Sequence, residues 1–429
     1  MGETILPAEE KFSNISESRL LSKAGRKIFF SIMQKLKRGE IHVREGDLKE
    51  TFGQRKGDSS LSATVNVLHP GFYDRIVFGG SVGAGEAYMM GLWSTDDLTM
   101  LVRIILLNQD VFEGLDRRWT RLAAPAYKIF HALRRDTRKG SRANIHAHYD
   151  LGNDFYKLFL DETLTYSCGF FEDESSTLKE ASLAKYDRIC KKLALKASDH
   201  VLEIGTGWGG FAIFAAKHYG CRVTTNTISE EQYTMAQRLI REVGLQDRVH
   251  ILFKDYRDLE GRFDKVVSIE MIEAVGHQYL EAFFRACSDR LKEDGMMLLQ
   301  AITITDRVFE KHKNTVDFIK RYIFPGSCIP SIAAMSRAVV RATDLKIDHL
   351  EDITPNYPRT LRGWRSRFFG NIQQVKALGF PDAFIRMWEF YLCYCEAGFE
   401  EKYLGDVQIR LIKPMCRQAP ILPRLEFQA

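Results

Sequence analysis

The strongest constraint on the fold is an alternation of apolar strands and helices that begins near Leu178. The predicted strands are HVLEIG, RVTTNTI, VHILFKD, FDKVVSI and GMMLLQAIT, and the helices between them are GGFAIFAAKHYG, SEEQYTMAQRLIREVG and YLEAFFRACSDRLK. Buried, β-branched strands joined by helices predict a parallel sheet that is covered on both faces. Near the end of the chain, GDVQIRLIK predicts a last strand, antiparallel, at the far side of this sheet.

The residues before this alternation are organised differently. RLLSKAGRKIFFSIMQKLKRG has apolar residues at helical spacing, whereas GEIHVREG, SATVNVLH and DRIVFGG predict short strands, and the glycines of GGSVGAGEAYMMGLW predict structural turns. We therefore expect a smaller α+β domain and a larger α/β domain. The predicted divisions are an N-terminal domain over 1–115, a connector over 116–142, a catalytic domain over 143–429, and helical insertions in it at about 307–342 and 360–400.

Composition excludes several classes of protein. The chain has 429 residues, of which 45% are hydrophobic, enough for two domains with cores. Its best apolar run, LTMLVRIILL, is too short to span a bilayer, and its N-terminus lacks the order of a signal peptide, so we expect a cytoplasmic protein. Eight scattered cysteines do not favour a disulfide framework. The close pair Cys393 and Cys395 lacks the second pair that a zinc site needs, so no metal is expected.

The net charge of +5 is unevenly distributed along the chain. Nine Lys or Arg residues and two acidic residues lie within 116–142, interleaved with aromatic side chains. This pattern fits a solvated helix face, and it equally fits a basic amphipathic segment lying on an anionic lipid surface. Nucleic-acid binding is not expected, because no known nucleic-acid motif accompanies the charges.

The loop VLEIGTGWGG indicates a nucleotide-type cofactor. Gly205, Gly207 and Gly210 fit the dinucleotide fingerprint, but that site needs an acid at the end of the second strand, and VTTNTIS has none. An S-adenosylmethionine (SAM) site instead places an acid at the tip of the first strand, where Glu203 lies, and another after the third strand, where Asp255 lies. The pattern favours SAM.

Six blocks, taken in order, identify a family. The sequence resembles the cyclopropane-fatty-acyl-phospholipid synthases and related lipid-modifying methyltransferases over nearly its whole length. The blocks are AHYDLGNDFYKLFLDETLTYSCGFF, VLEIGTGWGGFAIFAA, TISEEQ, KDYRDLEGRFDKVVSIEMIEAVG, RYIFPGSCIPS and CEAGF. GGSVGAGEAYMMGLW is similar to a segment of the family's N-terminal lipid-handling domain. The resemblance implies a class I SAM-dependent methyltransferase fold with a seven-stranded sheet, peripheral binding to a phospholipid bilayer, and a possible homodimer.

The resemblance also implies roles for individual residues. The residues that correspond to the family's SAM contacts are Tyr166, Ser167, Glu203, Gly205, Thr206, Gly207, Gly209, Thr227, Gln232, Asp255 and Tyr256. The family holds a bicarbonate ion beside the reacting carbons, and the matching positions are Cys168, Glu273, Tyr357 and the backbone amide of Ile302. The thiol is expected to position this ion and not to act as a nucleophile, because TYSCGFF contains no adjacent base.

The sequence departs from the family at two positions. Gln300 occupies the position of the family's bicarbonate-binding histidine. Ala274 occupies the position of the histidine that usually follows the glutamate, here Glu273. Glutamine can donate and accept hydrogen bonds but cannot carry a proton at neutral pH. Tyr322 is a candidate for an aromatic face beside a carbocation, as are Phe170, Phe171, Phe324, Trp364 and Phe399, although each also fits an ordinary core. Cys395 matches a cysteine sometimes assigned to the family's active site, or is simply a buried helical residue.

Three functions are compatible with these residues. The first is a synthase that adds a methylene group across a cis double bond of a phospholipid acyl chain. The second is a C-methyltransferase that makes methyl- or methylene-branched chains from the same lipids, which the changes at Gln300 and Ala274 leave open. The third is a non-catalytic lipid-binding protein with a vestigial SAM fold.

Overall fold

The computed structural model describes residues 19–54, 61–112 and 151–422. They divide into two compact units, which differ from the predicted domains in where two later segments belong. The first unit holds the N-terminal residues together with 314–325 and 361–404, and the second holds the remaining described residues from 151 onwards. The predicted connector, 116–142, lies outside the described residues.

The first unit contains a small mixed sheet with helices. Among the described residues its strand order is β2-β1-β3-β4, with β1 parallel to β3 and the other neighbours antiparallel. The strands are β1 (Gly39–Glu45), β2 (Leu48–Gln54), β3 (Ser62–Val67) and β4 (Trp93–Thr95), and the first helices are α1 (Arg19–Met33), α2 (Gly71–Met89) and α3 (Leu98–Leu107). The strands predicted from GEIHVREG and SATVNVLH are present as β1 and β3.

The segment DRIVFGG and the first four glycines of GGSVGAGEAYMMGLW form a helix, so the strand and the turns predicted there were wrong. They lie within α2, which begins after Pro70 and is kinked at Gly80, where φ is 55°. The last glycine, Gly91, lies in a turn after α2 with a φ of 69°, as the sequence predicts. A β-branched run suggested a strand, but close packing explains the glycines. A Cβ atom at Gly83 would lie 2.0 Å from the carbonyl oxygen of Arg75, and one at Gly85 would lie 2.2 Å from the ring of Phe318.

Most of the helices that the sequence placed as insertions in the catalytic domain belong to the first unit. They are the π-helical turn Ile319–Ile323, part of α11 (Asn356–Gly370), α12 (Ile372–Ala377) and α13 (Asp382–Glu400). The two helices Asp306–His312 and Ile332–Ala342 belong to the second unit. The contacts of α13 give the reason. The Tyr88 hydroxyl on α2 donates to Glu389 at 2.8 Å, and the Thr99 hydroxyl on α3 donates to Glu396 at 3.2 Å. These buried polar contacts, with apolar neighbours, fix α13 to the N-terminal helices.

The second unit is built on a seven-stranded sheet, counted within the described residues, with strand order β10-β11-β9-β8-β5-β6-β7. Its strands are β5 (His200–Ile204), β6 (Arg222–Thr227), β7 (Val249–Phe253), β8 (Phe263–Ile269), β9 (Leu291–Ile304), β10 (Lys346–Asp352) and β11 (Leu404–Ile412). Its helices are α4 (Asn153–Lys157), α5 (Leu178–Lys192), α6 (Gly210–Tyr219), α7 (Glu230–Glu242), α8 (Leu280–Arg290), α9 (Asp306–His312) and α10 (Ile332–Ala342).

The pairing confirms the predicted parallel sheet. Strands β5 to β9 pair in parallel, so their carboxyl ends meet at one edge. Strand β11 lies next to the edge of the sheet and not at it, which corrects the prediction, because the unpredicted β10 pairs with it antiparallel on the outside. Ligands in such sheets bind beyond the carboxyl ends of the strands. Among the described residues, none of the helices is both long and apolar enough to cross a bilayer.

Candidate active site

The glycine loop lies between β5 and α6, as the sequence predicts. Gly205 and Gly207 have φ values of 96° and 53°, which glycine adopts without strain. A Cβ atom at Gly207 would have no neighbouring atom within 4 Å, so the backbone borders open space there. A ligand can therefore approach the backbone closely, which fits the predicted SAM site.

Glu203 is buried beside this loop, one residue before the end of β5. Its carboxylate accepts a hydrogen bond of 2.6 Å from the hydroxyl of Thr225 on β6. The Thr225 oxygen also lies 2.7 Å from the hydroxyl of Thr206 in the loop. Burial raises the pKa of Glu203 to about 8. In this structure the contacts of Glu203 therefore tie β5, β6 and the loop together.

The turn after β6 brings together two further residues predicted to contact SAM. The Thr227 hydroxyl donates to the side-chain oxygen of Gln232 at 2.9 Å and accepts from the backbone amide of Ser229 at 3.1 Å. Ser229 in turn caps α7 by accepting from the amide of Gln232. All three side chains are buried, so this edge of the site is fixed before any ligand binds.

Asp255 follows β7, but its carboxylate is engaged by Arg257. It accepts hydrogen bonds from the Arg257 backbone amide at 3.0 Å and from the guanidinium at 2.8 and 2.6 Å. A ligand amino group would share this carboxylate with the arginine. The neighbouring Tyr256 packs its ring edge-on against Phe283, with ring centroids 5.6 Å apart.

Tyr166 and Ser167 lead from the predicted SAM residues into a second polar group around Cys168. The Tyr166 ring is half-buried and packs against Tyr156 at 5.5 Å. The Ser167 hydroxyl accepts a 2.6 Å hydrogen bond from the ammonium group of Lys185. Cys168 itself is fully buried, and its thiol donates to the carbonyl of Gly169 at 3.2 Å.

The centre of this second group is Glu270, just beyond the end of β8. Its Oε1 accepts from the backbone amide of Cys168 and from the side-chain amide of Gln300, both at 2.8 Å. Its Oε2 accepts from the Tyr357 hydroxyl at 2.6 Å. Burial is the main cause that raises the pKa of Glu270, and the charge of Lys185 opposes this rise. Three groups around the expected bicarbonate position are thus hydrogen-bonded to a carboxylate of the chain itself.

Glu273 lies in the following turn and keeps one unsatisfied oxygen. Its Oε1 accepts from the backbone amide of Ile302 at 2.5 Å, while its Oε2 is buried and has no hydrogen-bond partner among the described residues. Burial, reinforced by the charge of Glu270, raises the pKa of Glu273 to about 8. Near neutral pH this carboxyl group therefore carries a proton for most of the time.

Gln300 connects these acids to a third carboxyl group, that of Asp406 on β11. Its side-chain amide donates to Asp406 at 3.0 Å as well as to Glu270, and its carbonyl oxygen accepts from Gln408 at 3.0 Å. Burial, with repulsion from Glu270 and Glu273, raises the pKa of Asp406 well above its ordinary value. A neutral glutamine suits this place because its two N–H groups can serve both acids at once.

Lys185 on α5 supplies a buried positive charge to this group. Burial lowers the pKa of its ammonium group, while Glu270, Cys168 and Asp406 all act to raise it. The site therefore contains one cation, Lys185, and three carboxyl groups, those of Glu270, Glu273 and Asp406. Because one positive charge cannot balance three negative charges in a buried site, at least one carboxyl group is protonated at neutral pH. Burial, reinforced by the charges of Asp406 and Glu270, raises the pKa of the Cys168 thiol well above its ordinary range, which is unsuitable for a nucleophile.

Two of the six residues predicted to be catalytic belong to the first unit. The Tyr322 hydroxyl donates to Glu86 at 2.5 Å, and Cys395 lies in α13, where burial raises the pKa of its thiol. The structure brings the other four, Cys168, Glu273, Gln300 and Tyr357, together in the second unit. Of the predicted aromatic faces, those of Phe170 and Phe171 are already covered by arginine guanidinium groups, 4.3 and 4.0 Å from the ring centroids.

Comparisons with known proteins agree on the family. Residues 136–409 match the model of the mycolic acid cyclopropane synthetase family. Cyclopropane-fatty-acyl-phospholipid synthase of Escherichia coli K12 is 34% identical over 354 residues, which are 82% of this chain and 87% of that protein. The chain belongs to this family. It is a SAM-dependent methyltransferase of the cyclopropane synthase type, and the resemblance seen in the sequence is confirmed.

Two further comparisons are with a methyltransferase sequence and with a solved structure. The tuberculostearic acid methyltransferase UfaA1 of Mycobacterium tuberculosis is 38% identical over 341 residues, 78% of this chain and 79% of that protein. The crystal structure of mycolic acid cyclopropane synthase CmaA1, complexed with SAH and CTAB, superposes on this chain with a TM-score of 0.59 and 31% sequence identity. The superposed residues make up 63% of this chain and 98% of that chain. These family members confirm the class I methyltransferase fold and support SAM as the co-substrate.

Sequence reasoning missed three members of the site: Glu270, Lys185 and Asp406. A signal for Glu270 was present, because it follows a buried parallel strand in SIEMIEAVG, where site residues are expected. The other two had no local signal. Lys185 stands in an ordinary amphipathic helix and Asp406 in the last strand, and only the folded sheet brings them to Cys168.

Proposed function

We propose that this protein acts on phospholipids whose acyl chains contain a cis double bond, and that it adds a methylene group from SAM to form a cyclopropane ring. The observation that carries the proposal is the group formed by the buried Cys168, Glu273 and Tyr357 with the partly exposed Glu270, in the same unit as the glycine loop. The name of the Escherichia coli relative supports the lipid class.

The chemistry requires an electrophile and a proton acceptor in a site shielded from water. SAM supplies an electrophilic methyl group, and its transfer to the alkene leaves a carbocation on the acyl chain. The residues of the chain must then accept one proton. If a C–H bond of the new methyl group breaks, its electron pair closes the ring and the proton passes to a carboxylate of the site. Glu270, in the sequence SIEMIEAVG, can serve this step, whereas Glu273 already carries a proton for most of the time near neutral pH.

Bicarbonate is not needed in this proposal, because the residues present do not fit it well. The amide of Cys168 and the hydroxyl of Tyr357 donate to Glu270, and the amide of Ile302 donates to Glu273. A further anion would find these donors engaged and would lie beside carboxyl groups whose pKa values are already raised by mutual repulsion and burial. No step is therefore assigned to it.

A second candidate is a C-methyltransferase that makes methyl- or methylene-branched chains. Two observations favour it: the 38% identity to a tuberculostearic acid methyltransferase and the presence of Gln300 where the family usually has histidine. The first methyl transfer would be the same. The product would differ only in which proton the carbocation loses, or in a hydride shift before that loss.

We further propose that the protein binds the surface of an anionic bilayer from the cytoplasmic side and can form a homodimer. The basic residues of 116–142 support the membrane contact, because each Lys or Arg near an anionic surface is worth about 1 kcal/mol. Vesicle co-sedimentation at low and high salt tests this proposal. Binding that salt does not weaken would contradict it, and light scattering would give the oligomeric state.

Methyl-deuterated SAM and vesicles of cis-unsaturated phospholipid test the function. A cyclopropane or a methylene branch retains two deuterium atoms, because the third is lost as the deuteron that the site accepts, and the two ring methine protons in the NMR spectrum identify the cyclopropane. A methyl branch with a new double bond retains all three. A ring supports the first proposal, and a branched chain supports the second. If neither forms although the protein binds SAM, both proposals are wrong.

A further inference from the structure

Glu270 fills a position that the family resemblance assigns to a free ion. Three donors converge on its carboxylate: the amide of Cys168, the hydroxyl of Tyr357 and the amide of Gln300. The first two belong to residues predicted to bind bicarbonate, and the third stands where the family usually has histidine. Carboxylate and bicarbonate present the same pair of oxygen atoms to such donors.

The backbone at this position is also unusual. Glu270 has a φ of 48°, which is uncommon for residues other than glycine. Its amide donates to the carbonyl of Gln300 at 2.9 Å, which holds the strained turn against β9. A glutamate at a backbone position that suits glycine indicates that its carboxylate has a functional role.

Glu270 is the partly exposed residue of an otherwise buried group. Cys168, Gln300 and Asp406 around it are fully buried. The titratable groups that face it are Lys185, Cys168, Glu273, Asp406 and Tyr357. Lys185 favours the carboxylate form of Glu270, and the charge of Glu270 helps to raise the pKa of Glu273, whose Oε2 has no hydrogen-bond partner among the described residues.

We propose that the Glu270 carboxylate is the built-in proton acceptor of the reaction, in the place of bicarbonate. The inference rests on the proposed function and deepens it. After methyl transfer, a C–H bond next to the carbocation breaks, its electron pair forms the new carbon–carbon bond, and the proton passes to an oxygen of Glu270. Gln300 and the Cys168 amide hold Oε1 of this carboxylate, and Tyr357 holds Oε2. The proton leaves to water when the product lipid departs, so atoms and charge balance without a further reactant.

Two substitutions of Glu270 distinguish a catalytic base from a residue with only a structural role. Glu270→Gly removes the carboxylate, suits the backbone angle and opens a space lined by the three donors. Glu270→Gln keeps the size and the hydrogen-bonding capacity but cannot accept the proton. Both variants are first compared with the wild type for SAM binding, which shows whether the fold is intact.

The first readout is the rate of lipid modification in bicarbonate-free buffer and with added bicarbonate. We expect no bicarbonate dependence for the wild type. We expect both variants to lose a factor of about 100 or more, the usual contribution of a general base. Added bicarbonate should restore part of the rate of Glu270→Gly and none of that of Glu270→Gln. A wild-type rate that falls without bicarbonate, or a Glu270→Gln variant at the wild-type rate, would overturn the proposal.

The second readout does not depend on turnover. Titration of ¹³C-labelled bicarbonate, followed by NMR line broadening, should show saturable binding to Glu270→Gly and none to the wild type. Saturable binding to the wild type that SAM and lipid do not abolish would overturn the proposal even if no lipid product were ever found. Conversely, absence of any lipid product from the wild type would refute the proposed function while this titration still decides whether Glu270 takes the place of the ion.

Discussion

The raised pKa of Glu273 makes a quantitative prediction about stability. Burial and Glu270 raise this pKa from the ordinary value of 4.5 to about 8. Between these values the folded protein holds a proton that the unfolded chain releases, so stability is greatest below about pH 4.5 and falls as pH rises towards 8. The linkage relation gives a loss of about 2 kcal/mol between pH 6 and pH 8 from this group alone.

The perturbation is Glu273→Gln, which removes the titration and keeps an oxygen for the amide of Ile302. Free energies of unfolding from urea titrations at pH 6 and pH 8 measure the effect, because Glu273→Gln should lose about 2 kcal/mol less than the wild type over this range. Glu260→Gln, at an exposed position, is the control and should follow the wild type. An identical pH dependence for Glu273→Gln and the wild type would refute the reasoning.

Three further substitutions test separate parts of the site. Gly207→Ala places a methyl group in open space at a φ of 53°, so SAM affinity by calorimetry should fall by about tenfold or more, or about 1.4 kcal/mol; unchanged affinity would contradict the loop assignment. Thr225→Val leaves the buried Glu203 without its donor and should lower the free energy of unfolding by about 1–3 kcal/mol in urea; a neutral change would contradict this. Cys168→Ala keeps the backbone amide that binds Glu270, so the turnover rate should fall by less than about tenfold; complete loss would point to a role of the thiol itself.

The sequence predicts the sheet of the second unit well because its strands are buried and regularly spaced. The prediction fails where the conformation depends on packing between residues and not on the local sequence pattern. DRIVFGG has the β-branched composition of a strand, yet Pro70 starts a helix there, and the glycines permit contacts at Gly83 and Gly85 that no local rule reveals. The edge strand β10 was missed because its sequence, KIDHLED, is mostly charged and none of its residues is buried.

The site was predictable to the extent that its residues lie in motifs. Cys168 and Glu273 stand in quoted blocks, Tyr357 lies between two of them, and the structure brings all three into the second unit. What the sequence could not show is the direction of their hydrogen bonds. A carboxylate three residues before Glu273 looks like one more surface acid until a positive φ turns it towards Cys168 and Tyr357. Lys185 and Asp406 likewise join the site only through the fold.

The most direct test of the central claim compares two sets of vesicles that differ only in the acyl chain. The purified protein is incubated with SAM and either cis-unsaturated or fully saturated phospholipid, and S-adenosylhomocysteine release is measured beside the mass of the recovered acyl chains. Methylene transfer to the double bond predicts release only with the unsaturated lipid, in a one-to-one ratio with chains that have gained one carbon. Release with the saturated lipid, or release without any modified chain, would contradict it.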